Sequence, residues 1–143
     1  MTNAAPASIG PEQLSTARAL AAEQDISIPL AIKHLMGCSD LRLLEVLSRL
    51  FNYSTLTSDQ LRDVQPDTVA LPFSECVRHK VALVRREDDQ LVLITADPFD
   101  AEAEDWALNR CLSVNIAPRV ALVSALDLQG HLDRIEQGLK AVD

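Results

Sequence analysis

The stretch that decides the fold is VALVRREDDQLVLITADPFD, residues 81–100. Two short apolar runs, Val81 to Val84 and Leu91 to Thr95, enclose the charged residues Arg85 to Gln90. Apolar runs of this length on either side of a polar turn are typical of a β-hairpin. We therefore expect two antiparallel strands joined at residues 85–90.

The hairpin is followed by a helix. Pro98 disfavours helical backbone at Asp97, so the chain turns there. Asp100 can then cap a helix whose first turn is acidic, which suits the positive end of a helix. The apolar spacing predicts that this helix continues to Leu112.

Further elements complete the C-terminal part. We expect a strand at Ser113–Ala117 and a last helix that starts at Ser124. On the other side of the hairpin, Pro72 opens a brief helix that ends near Lys80. The predicted order is helix, strand, strand, helix, strand, helix.

The N-terminal part, residues 1–53, predicts a helical lobe. A first amphipathic helix runs from Pro11 to about Gln24. A second, short helix closes at Gly37, which can adopt the left-handed conformation of a helix stop. Ser39 can cap a third helix with a wide apolar arc.

Between the two lobes, residues 54–70 indicate a connector. Helical periodicity fades there, and Thr57 and Gln60 have capping-box spacing for at most a short turn of helix. The remaining residues, 71–143, form the second lobe. The predicted fold class is α+β, with an N-terminal helical lobe and a small three-stranded sheet flanked by helices.

Composition excludes several function classes. The chain has 21 acidic and 13 basic side chains, which opposes nucleic-acid binding. It lacks an apolar run of about 18 to 20 residues, so we expect no direct membrane insertion. The three cysteines form no Cys-x-x-Cys pair. They favour a reduced, cytoplasmic setting in which they are small buried hydrophobes.

The motifs of catalysis are missing. With four glycines in the chain, neither a phosphate-binding loop nor a dinucleotide-binding turn can be assembled. His34, His79 and His131 fall in three predicted helices without a second ligand nearby. Cys76 and His79 share a helix, but no third group orients them. We expect no catalytic, cofactor-binding or metal-ligating residue, and no enzyme activity in this chain.

One basic cluster and one tryptophan remain as candidate partner-binding residues. Arg78, Arg85 and Arg86 belong to the only local concentration of positive charge on an acidic chain. They either complement a helix end and the acidic turn residues, or dock an acidic partner or a phosphate. Trp106 is either edge packing or an anchor for a partner.

Residues 65–135 resemble the N-terminal domain of type II secretion and type IV pilus assembly ATPases. The likeness rests on Leu71-Pro72, Arg78-His79, the hairpin, and the helix and strand that follow it. Its most specific piece is Ala96-Asp97-Pro98 followed by Asp100. The helical lobe is similar in layout to the helical subdomain that precedes this module in the family.

This resemblance implies a regulatory and docking module. In the family, the domain lies ahead of the ATPase core and binds the cytoplasmic part of an inner-membrane assembly protein. We therefore expect a cytoplasmic protein that a partner recruits to the inner membrane. The resemblance also leaves two alternatives, a cyclic di-GMP receptor domain and the same module regulating a membrane glycosyltransferase.

The cyclic di-GMP motif of the family is degenerate in this chain. Pro29-Leu30-Ala31 stands where Arg-Leu-Gly would open the second repeat, so the arginine and the glycine are both missing. Leu43 and Leu47 fit the leucine spacing, but Leu50 stands where the family has glutamine. Of the first repeat, Gln24 alone matches.

Overall fold

A computed structural model describes residues 8–141, and the chain divides into two compact units, Met1–Thr55 and Leu56–Asp143. The described residues form seven helices and five strands, which confirms the α+β class. In chain order these are α1 Pro11–Gln24, α2 Ile28–Met36, α3 Asp40–Phe51, β1 Ser54–Thr55, α4 Ser58–Arg62, β2 Gln65–Asp67, α5 Phe73–His79, β3 Val81–Arg85, β4 Leu91–Thr95, α6 Ala101–Leu112, β5 Arg119–Leu122 and α7 Ala125–Ala141.

Helix α1 spans the predicted residues, α2 ends at Gly37 and α3 begins after Ser39, as the sequence predicts, whereas α2 begins at Ile28, inside the stretch that indicated a break. The Ser27 hydroxyl accepts a hydrogen bond from the Leu30 N–H at the start of α2 (3.2 Å), and Ser39 does the same for α3. Gly37 ends α2 with φ +59°, and its N–H donates to the Lys33 carbonyl. These caps satisfy backbone groups that would otherwise lack partners at the helix ends. The unit is built around buried apolar residues, namely Ala17, Ala21, Ala31, Ile32, Leu44, Val46 and Leu47.

The sheet has the strand order β1-β5-β4-β3-β2. Strands β3 and β4 form the predicted hairpin, with Val81 opposite Thr95 and Arg85 opposite Leu91. Strand β2 pairs antiparallel with β3, and β5 pairs parallel with β4. The hairpin turn closes when the Arg86 N–H donates to the Gln90 carbonyl (2.9 Å).

The central strands are covered on both faces. All residues from Val81 to Val84 and from Val92 to Thr95 are buried, so both faces of the hairpin are packed. Full burial explains why these strands show continuous apolar runs instead of the alternation of a half-exposed strand.

The predicted strand at Ser113–Ala117 is wrong, and the strand lies at Arg119–Leu122. The chain after α6 folds back on the last helical turn, because the N–H groups of Val114 and Ile116 both donate to the Cys111 carbonyl (3.1 and 2.9 Å). Asn115 takes the left-handed conformation at φ +62°. Val114 and Ile116 suggested a strand, but their N–H groups bond the end of α6 and are not available to a sheet.

Residues 54–70, expected to be a connector, contain β1, α4 and β2. The capping box that the sequence indicates is confirmed. The Thr57 N–H donates to the Gln60 side chain (2.9 Å), and the Gln60 N–H donates to the Thr57 hydroxyl (3.3 Å). The two strands were missed because they are two and three residues long. Pro66 also argues against a central strand and is tolerated at a sheet edge.

Candidate functional site

The structure separates the candidate basic residues into two groups. Arg78 lies near the end of α5, whereas Arg85 ends β3 and Arg86 begins the turn. A five-residue strand is about 17 Å long, so the two groups lie at opposite ends of β3. The basic cluster of the sequence is therefore not one continuous patch.

At the α5 end, a histidine joins two helices. The imidazole of His79 stacks on the indole of Trp106 in α6, with ring centroids 4.0 Å apart and planes 17° from parallel. His79 Nε2 lies 3.4 Å from Glu75 Oε2, one helical turn earlier in α5. Next to them, Arg78 is exposed and makes no ion pair with any residue between 8 and 141.

Trp106 is partly buried and packs against the core of the second unit. One face of its ring is occupied by His79. The indole thus contributes to packing between α5 and α6, and its role as a partner anchor stays a prediction. The Glu75 and His79 contacts were not predicted, although their i, i+4 spacing on a helix was a usable signal.

At the other end of β3, Arg85 is engaged within the fold. Its Nη2 lies 3.6 Å from Oδ2 of Asp67 in β2. One of the two open interpretations paired Arg85 with Glu87, Asp88 and Asp89 across the turn, and the observed partner is Asp67 instead. The contact between Arg85 and Asp67 could not be predicted from the sequence, because β2 itself was not predicted.

Arg86 lines a depression of about 300 Å³. The depression is partly open to solvent, and it lies between the end of α4 and the hairpin turn. It combines one guanidinium with three carboxylates, and Arg86 makes no ion pair within the described part of the chain. The lining residues are Gln60, Asp63, Val64, Arg86, Glu87 and Asp88.

The turn that joins β4 to α6 is held by side chains. The Thr95 hydroxyl accepts from the Asp97 N–H (3.2 Å), and the Asp97 carboxylate accepts from the Phe99 N–H (3.1 Å). Asp100 caps α6 by accepting from the Ala103 N–H, as predicted. Burial raises the pKa of Asp97 above its ordinary value, against the opposing effects of the Phe99 hydrogen bond and Lys80. This network explains the Asp-Pro-x-Asp spacing through turn geometry.

Three buried titratable groups in the second unit are poorly suited to nucleophilic or acid–base chemistry. Burial raises the pKa of the Cys76 thiol to about 11, with smaller effects from Cys111 and Glu75. Burial likewise raises the pKa of Cys111. Burial lowers the pKa of His131 to about 4, helped by Arg134. The two thiols therefore stay protonated and His131 stays uncharged near neutral pH.

The structure offers no grouping for metal chemistry in the part it describes. Among residues 8–141, no three histidine, cysteine, aspartate or glutamate side chains are grouped closely enough to hold a metal ion. Within the same residues, no helix is both long and apolar enough to cross a membrane.

In the helical unit, the segment Pro29-Leu30-Ala31 lies in the first turn of α2, with Pro29 and Ala31 buried. Lys33 pairs with Asp40 at 2.8 Å, and Arg42 pairs with Glu45 at 2.7 Å. Both cations are therefore already engaged by carboxylates.

A protein-family model described as the MshEN domain matches residues 51–142. The chain belongs to the MshEN domain family. The match includes the five strands and four of the seven helices, and it confirms the resemblance to the N-terminal domain of type II secretion and type IV pilus assembly ATPases.

Solved structures share the fold of this MshEN domain. The structure of MshE with cyclic di-GMP superposes with a TM-score of 0.65 at 19% identity, covering 88% of this chain and 89% of that chain. Two crystal forms of the N-terminal domain of XpsE give TM-scores of 0.55 and 0.58 at 22% and 21% identity. They cover 88% of this chain and 86% and 85% of the XpsE chains. A search of curated proteins found no match.

Proposed function

We propose that this MshEN domain is a non-catalytic docking and regulatory module of a secretion or pilus assembly ATPase. Its partner would be the cytoplasmic part of an inner-membrane assembly protein, which would recruit the cytoplasmic chain to the membrane. The observation that carries the proposal is the family match over residues 51–142, which spans the whole sheet. Burial raises the pKa of the Cys76 and Cys111 thiols, which makes them poor nucleophiles and agrees with a non-catalytic role.

The geometry ranks the candidate docking residues. Arg78 is exposed and unpaired within residues 8–141, and it adjoins the residue that stacks on Trp106. Arg78 and Trp106 are the primary candidates, because an exposed charge steers association and an aromatic side chain supplies contact area. Arg86 is a second candidate at the far end of β3. Arg85 is the weakest, because its guanidinium already pairs with Asp67.

The test is co-purification of the tagged full-length natural protein from its source cell, with the inner-membrane assembly protein quantified by mass spectrometry. R78E should lose this partner while keeping the melting temperature of the wild type. R119E is the matched control, because Arg119 is also exposed and begins β5 at the opposite end of the sheet. Equal partner recovery by R78E and R119E would count against docking at Arg78.

A second candidate function is a cyclic di-GMP receptor domain. The observation that favours it is the structural similarity to MshE with cyclic di-GMP. Two features weigh against it: Pro29-Leu30-Ala31 supplies no cation, and Lys33 and Arg42 are both held in ion pairs. A dianionic ligand would have to compete with those carboxylates.

Isothermal titration calorimetry with cyclic di-GMP separates the two candidates. The docking proposal expects no saturable heat. Saturable binding that is weakened by K33A would favour the receptor and place the ligand on the helical unit. Binding that is unchanged in the double variant R85A/R86A would exclude the hairpin turn as the ligand site.

A further inference from the structure

Helix α5 presents a face to solvent that is both apolar and basic. Ser74, Val77 and Arg78 are exposed and have i, i+3 and i+4 spacing, so they share one side of the helix. Cys76, on the opposite side, is buried in the core of the second unit. Val77 is 46% exposed, although valine is usually a buried residue. We call Ser74, Val77 and Arg78 the outer face of α5.

The positive charge of this outer face is available to a partner. Arg78 makes no ion pair within residues 8–141. The one acidic residue in the sequence of α5, Glu75, lies with its Oε2 3.4 Å from Nε2 of His79. Lys80, which follows the helix, is exposed and acts on Asp97, where it lowers the carboxyl pKa against the larger effect of burial. The guanidinium of Arg78 is therefore the cation on this face that a partner can engage.

The charge of the chain determines which kind of partner this face suits. The formal net charge is -8, so an acidic partner is repelled by most of the surface and attracted where a cation lacks a counter-charge. An anionic lipid surface is repelled by the same net charge, and its binding usually requires a cluster of several basic residues. The exposed side chain of Val77 also offers an apolar contact. An acidic protein segment that carries an apolar residue fits this face best.

We propose that the outer face of α5 binds an acidic, amphipathic segment of the partner, with an apolar side chain on Val77 and a carboxylate on Arg78. A guanidinium holds a carboxylate through two parallel hydrogen bonds, which orients the segment. The apolar contact excludes water beside this ion pair and so strengthens it. The inference rests on the proposed function, because the segment would belong to the inner-membrane assembly protein.

The test is site-specific cross-linking with the full-length natural protein in its source cell. Photoreactive benzoylphenylalanine replaces Val77, and mass spectrometry identifies the peptide that it captures. We expect a peptide with an aspartate or glutamate within one helical turn of the cross-linked residue. Val114 is the matched control position, because it is also a half-exposed valine, at 51%, and has no charged residue within three positions on either side. Equal cross-linking at the two positions, or a captured peptide without acidic residues, would overturn the proposal.

A charge swap tests the ion pair itself. R78E should lower partner recovery by about tenfold, because it turns an attraction into a repulsion, and an arginine in place of the captured carboxylate should restore the recovery. Lack of restoration would count against the proposed pair. Restoration with a protein other than an inner-membrane assembly protein would support this inference and contradict the proposed function.

A vesicle assay distinguishes a lipid surface from a protein segment. The full-length protein is sedimented with vesicles of phosphatidylcholine and phosphatidylglycerol, and we expect no binding that depends on Arg78. Sedimentation of the wild type but not of R78E would assign the outer face of α5 to anionic lipid and overturn the proposal.

Discussion

Arg85 and Asp67 are held together across two neighbouring strands of the sheet, with Nη2 of the arginine 3.6 Å from Oδ2 of the aspartate. In the register of β2 and β3, Gln65 lies opposite Arg85, so Asp67 is its diagonal neighbour. The Asp67 side chain is 13% exposed and that of Arg85 is 43% exposed. The pair therefore fastens the short edge strand β2 to the hairpin, which makes Arg85 part of the fold.

Removing Asp67 should lower the free energy of unfolding more than removing Arg85. R85A should lower the free energy of unfolding by about 0.5 kcal/mol, because the guanidinium is partly solvated. D67A should cost about 1–2 kcal/mol, because the Asp67 carboxylate also accepts the Val69 N–H at 3.0 Å. Urea denaturation measures both, with R86A as a control near zero. Equal losses in D67A and R86A would show that the pair does not hold β2.

Truncation of Trp106 should destabilise the fold moderately. W106A should lower the free energy of unfolding by about 2 kcal/mol, less than a fully buried tryptophan would cost, because the indole packs on the core and on His79 but is only partly buried. W106F should recover more than half of this loss, since an aromatic ring on His79 is retained. A loss below about 0.5 kcal/mol in W106A would show that the indole is not part of the packing.

Stability should decrease at acidic pH because of His131. This side chain is 3% exposed and its Nε2 has no hydrogen-bond partner within residues 8–141. Its pKa in the folded protein is lowered from 6.5 to about 4, so the unfolded chain takes up the proton first as the pH drops. The stability is complete above pH 6.5 and should decline by roughly 2–3 kcal/mol by pH 4.

H131L tests this pH dependence, because leucine is apolar and similar in size. Urea denaturation at several pH values should give a flatter profile for H131L than for the wild type between pH 6.5 and 4. The raised pKa of Asp97 acts in the opposite direction at low pH, so the difference between the two proteins isolates the histidine. Parallel profiles would contradict a buried, neutral His131.

The three thiols should react at very different rates. Cys38 is partly exposed, whereas Cys76 and Cys111 are buried. With a pKa of about 11, about one Cys76 thiol in a thousand is ionised at pH 8, and only the thiolate attacks a disulfide reagent. Ellman's reagent should therefore modify one thiol quickly and the other two only after unfolding. C38S should lose the fast phase, and three fast thiols would contradict the buried assignment.

Local chemistry explains which elements were predictable. Ser39 and Asp100 predict helix starts because their side chains accept a hydrogen bond from the backbone N–H three residues later. The hairpin was predictable because residues 81–84 and 92–95 are buried and almost all apolar. The edge strands β1 and β2 were not, since two or three polar residues carry no periodicity and their pairing depends on distant neighbours.

The candidate site was predictable only in part. The sequence pointed to Arg78 and Trp106, and the structure shows that each flanks or contacts His79. The sequence could not show that Arg78 and Arg85 lie far apart, because the distance between them depends on β3 being fully extended. The partner of Arg85 could not be predicted either, since Asp67 lies 18 positions earlier and approaches Arg85 only because β2 pairs with β3.

If this MshEN domain is the docking part of an assembly ATPase, an ATPase core belongs to the same natural polypeptide. The most direct test is the intact mass of the natural gene product from its source cell, compared with its coding sequence downstream of Asp143. We expect a longer chain that continues into a G-x-x-x-x-G-K-[ST] segment, the phosphate-binding loop of an ATPase core. A product that ends near Asp143, or that continues into a membrane glycosyltransferase, would contradict it.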